Sequence, residues 1–99
     1  QIPCNIVDED EHSIAIRDLN PQAPTHILIL PRDHIANITE TDNTELLGRL
    51  FQKAKPIAAL ENLGKGFRLV VNTGDDGGQT VGHLHIHLLG GRALRWPPG

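Results

Sequence analysis

At 99 residues the chain holds one domain with a modest core, and a second domain does not fit. A net charge of −3 and a pI near 6.0 argue against the basic surface that nucleic-acid backbones and anionic membranes attract, so any nucleotide partner is a small molecule. The single cysteine, Cys4, excludes an internal disulfide and a Cys-rich zinc site; it reads as a small packing residue in a reducing, cytoplasmic setting.

In chain order, residues 5–7 and 13–17 read as strands on either side of an acidic turn, Asp8-Glu9-Asp10-Glu11, with His12 facing solvent. The Asn20-Pro21-Gln22-Ala23-Pro24 turn leads into a third strand, residues 25–30. There His26, Leu28 and Leu30 alternate with Ile27 and Ile29 until Pro31 ends the run, and His34 just beyond reads as a surface or helix-start residue. Asp42 with Glu45 three residues on predicts a capped helix start. From there Leu46, Leu47, Leu50, Phe51, Ala54, Ile57 and Ala58 form one helical stripe. Pro56 inside it predicts a kink or break, and Gly64 and Gly66 predict its end.

Residues 67–72 read as a fourth strand, followed by a glycine-rich loop at 74–78 and a fifth strand at 82–89. Gly64-Lys65-Gly66 lacks the spacing of a P-loop, and Asp75-Asp76 lacks that of an EF-hand. No apolar run approaches the roughly 18 residues that span a membrane. The chain opens at Gln1, almost directly into a strand, which predicts that a short N-terminal segment precedes it, a place where a targeting sequence would fit. Strands on either side of one long helix give an α+β domain: a five-stranded antiparallel sheet with the helix packed on the Leu84, Ile86 and Leu88 face.

The fifth strand places His83, His85 and His87 at strict alternation, three of the chain's six histidines on one face. Solvated histidines on a polar face would explain one such residue better than three in register. A zinc site is a second reading, limited by geometry: at about 3.4 Å rise per residue, the Cα atoms of His83 and His87 lie about 13 to 14 Å apart, whereas zinc holds each nitrogen at about 2.0 to 2.1 Å. His26 with one adjacent pair is the zinc arrangement that geometry leaves open. The third reading is nucleophilic catalysis at phosphorus, with a neutral imidazole attacking and a second one protonating the leaving group. Histidine titrates near pH 6.5, so neighbouring rings can hold different protonation states. His85 alone has a histidine two residues away on both sides, which suggests it as the nucleophile.

The run His83-Leu84-His85-Ile86-His87-Leu88-Leu89 resembles the signature of the histidine triad superfamily, most closely its Hint branch of nucleotide-binding phosphoramidases. The likeness extends through Ile2-Pro3, Asp18-Leu19-Asn20-Pro21-Gln22-Ala23-Pro24-Thr25-His26, Ile29-Leu30-Pro31 with His34, Val70-Val71-Asn72, Gly77-Gly78-Gln79, Leu89-Gly90-Gly91-Arg92 and Trp96-Pro97-Pro98-Gly99. It implies one histidine triad domain over residues 1–99 that binds a purine nucleoside monophosphate, AMP or GMP, and hydrolyses P–N bonds in AMP-amine or AMP-lysine conjugates. On this resemblance His85 forms a nucleotidyl-histidine, His87 is the acid, and His83 and His26 support them. Asn72, Gln79 and Thr80 fall where the family handles the phosphate and leaving group, Asp18 where it binds the ribose, and Ile16, Leu19 and Leu28 in the base pocket. No cofactor is required on this reading, with zinc the weaker alternative. The resemblance also implies a homodimer with joined sheets, in which Trp96 reaches the partner's site. Weak catalysis in a nucleotide-binding scaffold, and action on adenylylsulfate or aminoacyl-adenylates, are the rival functions. Thr80 stands where the family usually has serine, and Gly82 where it usually has an aromatic residue, which bears on substrate preference.

Overall fold

The computed structural model describes residues 5–99, so Cys4 and the Ile2-Pro3 match lie outside the described residues. Its elements in chain order are β1 (Ile6–Glu9), β2 (Ser13–Arg17), β3 (Thr25–Pro31), a single 3-10 turn (Ile38–Glu40), α1 (Thr44–Gln52), α2 (Ala54–Leu60), β4 (Phe67–Val70) and β5 (Ile86–Gly90). The strands form one antiparallel sheet in the order β1-β2-β3-β5-β4. The last strand in sequence is thereby inserted between β3 and β4, as the second neighbour of β3 and, among the described residues, the single neighbour of β4.

Alternation along the strands divides the sheet into two faces. Ala15, Ile27, Ile29, Ile86 and Leu88 point to one side, where Leu50, Ala54, Ile57 and Ala58 of the helices cover them to make the core. The acidic turn is tighter than the sequence suggests, because Asp8 and Glu9 belong to β1. Asp10 makes the turn by accepting the backbone N–H groups of His12 and Ser13 at 2.7 and 2.8 Å, while exposed His12 stands beside Glu11. Lys53, at the junction of the two helices, reaches both Asp8 and Asp10 at 2.7 and 2.8 Å. Its ammonium holds the Asp10 carboxyl well below the usual carboxylate range and fastens the helix layer to the sheet edge. On the same side Arg17 pairs in bidentate fashion with Glu61 at the end of α2.

The helical stripe is broken as expected, but at Lys53, three residues before Pro56. Proline has no N–H to offer the carbonyl of Gln52, and its ring crowds that turn. The helix start differs from the expected Asp42 cap: the Asn43 side chain accepts the N–H of Leu46, and Glu45 instead pairs with Arg49. The helix end differs too. Asn62, with φ of 60°, reverses the chain while Leu63 and Asn62 donate back to the carbonyls of Ala58 and Ala59, a Schellman arrangement that stops the helix before Gly64. Among the described residues no helix is long and apolar enough to cross a membrane.

Candidate active site

The sheet face away from the helices carries the histidines. In β3, His26, Leu28 and Leu30 point to it; in β5, His87 and Leu89 do. The register sets Leu28 of β3 and Val70 of β4 directly beside His87, Ile16 beside Leu28, and His26 beside Leu89. His87 is thus flanked by apolar side chains in its own row.

Only His87 of the triad sits in a regular strand, which corrects the expected strand at 82–89. The β3–β5 ladder begins at the pair Ile29 and Ile86. Beyond it β3 runs out at Pro31, which has no N–H to give a ladder, and Leu84 donates to Ile35 instead. The alternation nevertheless persists, with Leu84 and Ile86 buried while His83, His85 and His87 are half-buried. Likewise β4 stops at Val70, leaving Asn72 on the loop rather than in the strand.

Freed from the ladder, His83 and His85 are held by hydrogen bonds to backbone carbonyls. His85 Nδ1 lies 2.7 Å from the carbonyl of His83, so the ring donates from Nδ1 and keeps its lone pair on Nε2. His83 Nε2 donates to the carbonyl of Pro31 at 3.0 Å. The rings of His85 and His87 are 4.8 Å apart, and those of His26 and His87 5.1 Å. A hydrogen bond of 2.8 Å joins His26 Nε2 to His87 Nδ1. Burial pushes the His26 imidazole below its ordinary range, against the pull of Asp18. Burial, then the neighbouring His85 and His26, lower that of His87. Both rings are therefore neutral near pH 7.

Asp18 is brought to this group because its N–H continues the β2–β3 pairing onto the carbonyl of His26. Its Oδ1 accepts the N–H of Asn20 at 2.8 Å, and its Oδ2 lies 3.4 Å from His26 Nε2. Asp18, His26 and His87 each offer a donor atom within 4.8 Å of the others. The set suits a zinc ion poorly, because the Gln22 N–H already points at His26 Nδ1 at 3.0 Å. A metal on Nε2 would then require a ring with no proton at all, whereas a ligating histidine ordinarily donates from its second nitrogen.

The remaining expected residues are spread around the group. Ile16 and Leu28 line the open face, while Leu19 is largely exposed on the turn after Asp18. Asn72 donates to the carbonyl of Gly77 at 2.7 Å. Gln79 accepts from Gly74 and donates to Ala36 and Val81, so its amide braces the loop from both ends. That loop is tight enough that a Cβ at Gly77 would collide with the backbone of Thr73. Thr80 is exposed at its exit. Gly82 has open space about it and no unusual backbone angle, so a side chain is absent there without steric need. Trp96 is 81% exposed, not packed on its own domain. Its segment is tethered by Arg68, which donates to the carbonyls of Leu94 and Arg95 at 3.0 and 2.8 Å.

Three participants escaped the sequence reading. His34 is exposed, as expected, but its ring stands edge-on to that of His83 at 5.4 Å. Arg68 and the backbone of Gln22 carry no signal of their own, since each acts through hydrogen bonds to segments distant in sequence or to a ring nitrogen. A cavity of about 720 Å³ lies between residues 62–66 and 91–93 and is lined by none of the histidines.

This arrangement offers a nucleophilic nitrogen beside a neutral ring that can donate, next to an apolar row and with a carboxylate beside His26. The model of the HIT domain matches residues 1–94. Over its whole length the chain is 48% identical to the 14 kDa zinc-binding protein of Zea mays, covering 80% of it. It is 45% identical to the adenylylsulfatase HINT1 of Arabidopsis thaliana, covering 70% of that protein. The crystal structure of a HIT family hydrolase from Legionella pneumophila superposes on 99% of the chain with a TM-score of 0.94, at 50% identity and over 90% of its own length.

Proposed function

We propose, from the premise that this chain belongs to the HIT domain family and within it to the Hint branch, that it hydrolyses the P–N bond of purine nucleoside 5′-phosphoramidates through a nucleotidyl-histidine. The observation that carries this reading is the hydrogen bond from His85 Nδ1 to the His83 carbonyl, which leaves Nε2 free to attack.

In the first step His85 Nε2 bonds to phosphorus and the P–N bond breaks. The departing amine takes a proton from His87 Nε2, since an amide anion is too basic to leave unprotonated. The negative charge left on the His87 ring is offset by the positive charge that bonding to phosphorus places on the His85 ring, 4.8 Å away. In the second step His87 takes a proton from water, whose oxygen bonds to phosphorus as the bond to His85 breaks, releasing the nucleoside monophosphate. Asp18 holds the ribose, Ile16, Leu19 and Leu28 flank the base, and Asn72, Thr80 and the Gln79-braced loop face the phosphate. His83 and His26 orient the reacting rings.

Incubation with an AMP-amine conjugate in the presence of a chelator tests this, with AMP release expected. Nucleotide binding without release would establish the scaffold instead, and release abolished by chelation would establish a zinc enzyme. The Arabidopsis relative favours a second reading, hydrolysis of adenylylsulfate. Sulfate leaves without a proton, so His87→Asn separates the two: phosphoramidate cleavage should fall by about a hundredfold, and adenylylsulfate cleavage far less.

A homodimer is part of the same proposal, supported by an exposed Trp96 on a tethered segment that a second copy can receive. Sedimentation at twice the chain mass is expected, and a monomer at micromolar concentration overturns it. A cytoplasmic location, checked by fractionation, completes the reading.

A further inference from the structure

The turn between β2 and β3 is stiffened by Pro21 and Pro24, and Gln22, between them, is gripped from both sides. The carbonyl of Gln22 accepts from Arg92 at 2.9 Å, and its N–H donates to His26 Nδ1 at 3.0 Å. Arg92 lies two residues beyond the end of β5, and its guanidinium is fixed by a second bond to the carbonyl of Ala93. The segment that leaves the His87 strand therefore carries the side chain that fixes the turn behind His26.

A neutral imidazole has one N–H and one lone pair. His26 Nδ1 spends its lone pair on the Gln22 N–H, so the proton of His26 resides on Nε2. Nε2 is 2.8 Å from His87 Nδ1 and donates there, which places the proton of His87 on its own Nε2. The reverse order fails: donation from His87 Nδ1 would leave His26 without a proton on either nitrogen, an anion beside the Asp18 carboxylate at 3.4 Å. Protonating His26 on both nitrogens fails as well, since Nδ1–H would face the Gln22 N–H, donor against donor.

We infer that the backbone N–H of Gln22, clamped by Arg92, selects the tautomer in which His87 presents its proton on Nε2, so that Gln22 and Arg92 are positioning residues for the proton donor. The consequence for turnover rests on the reading of His87 as the acid in the proposed reaction. The tautomer itself rests on the hydrogen bonds alone. Burial of both rings supports it by keeping them neutral.

Two-bond 15N–1H correlation spectra of the full chain near pH 7.5 read the protonated nitrogen of each ring directly. Nε2–H is expected for His26 and His87, and Nδ1–H for His85. Gln22→Pro removes the amide hydrogen, whereas Gln22→Ala keeps it. The proline variant should move His87 into a mixture of tautomers and lower kcat for an amine-leaving phosphoramidate about tenfold or more relative to the alanine variant, with KM changed much less. Arg92→Ala should produce a milder mixture and Arg92→Lys should restore one tautomer, which keeps the test decisive if the proline variant does not fold. Nδ1–H at His87 in the wild-type chain, or identical His87 spectra in all four variants, overturns the inference. The expected tautomers in a wild-type chain that releases no AMP would uphold it while sinking the proposed reaction.

Discussion

The two faces of the sheet are built by the same strands yet do different work. In β3 and β5, Ile27, Ile29, Ile86 and Leu88 turn to the helices and are almost completely buried, while His26, Leu28 and His87 turn to the other side. Neighbours in sequence thus belong to separate physical regimes. The helix face gains from removing apolar area from water, and the open face holds polar rings neutral at the expense of their solvation. One backbone ladder supports both, so stability and chemistry should respond to substitution almost independently.

The largest expected effect lies on the open face. His85→Asn should lower phosphoramidate turnover by about a thousandfold or more, with thermal unfolding close to wild type and AMP still bound; a comparable loss of stability would break the division. The reverse experiment is Ile27→Ala, one residue from His26. It should cost about 2 to 5 kcal/mol in denaturant unfolding, with kcat/KM of the folded protein within a few fold of wild type. Leu28→Ala, the next residue, removes half-buried surface beside His87 and should raise KM about tenfold with kcat nearly unchanged and a smaller loss of stability.

The smallest effect is the pH dependence of stability. The folded His26 and His87 rings titrate below the ordinary value of 6.5. Above that pH neither the folded nor the unfolded chain binds a proton at them, and they leave stability unaltered. Below it the unfolded chain takes up protons that the folded chain refuses, so stability declines as pH falls from 6.5 through the lower folded values. Tm measured between pH 7.5 and 5.5 should follow this course, and His87→Gln should flatten it; an equally steep profile in that variant would place the titration elsewhere.

Much of this division was legible in the sequence. Period-two alternation assigns His26 and His87 to one face and Ile27 and Ile86 to the other wherever the strand is regular, and Pro56 announces the break in the helix. The parts that escaped depend on contacts made across the chain. The early end of the ladder follows from where Pro31 falls opposite the approach to β5, a matter of register that neither segment encodes alone. Asn43, not Asp42, caps α1, and Asn62 stops α2, because several residues there can make a turn and packing selects among them. The Gln22 amide is a backbone group, identical in every residue but proline, and becomes specific only through the ring it faces.

The strand order carries a consequence for how the chain acquires its shape. β5 is the last of the described strands in sequence and lies between two that precede it, so β3 and β4 have no ladder to share until residues 86–90 arrive. Every pairing across the centre joins distant parts of the chain, and the entropy of closing those loops is lost before the contacts form. The histidine strand is in this sense a keystone: residues 86–90 must be made before the sheet can lock, and truncation just after Gly82 should leave a chain without a cooperative fold.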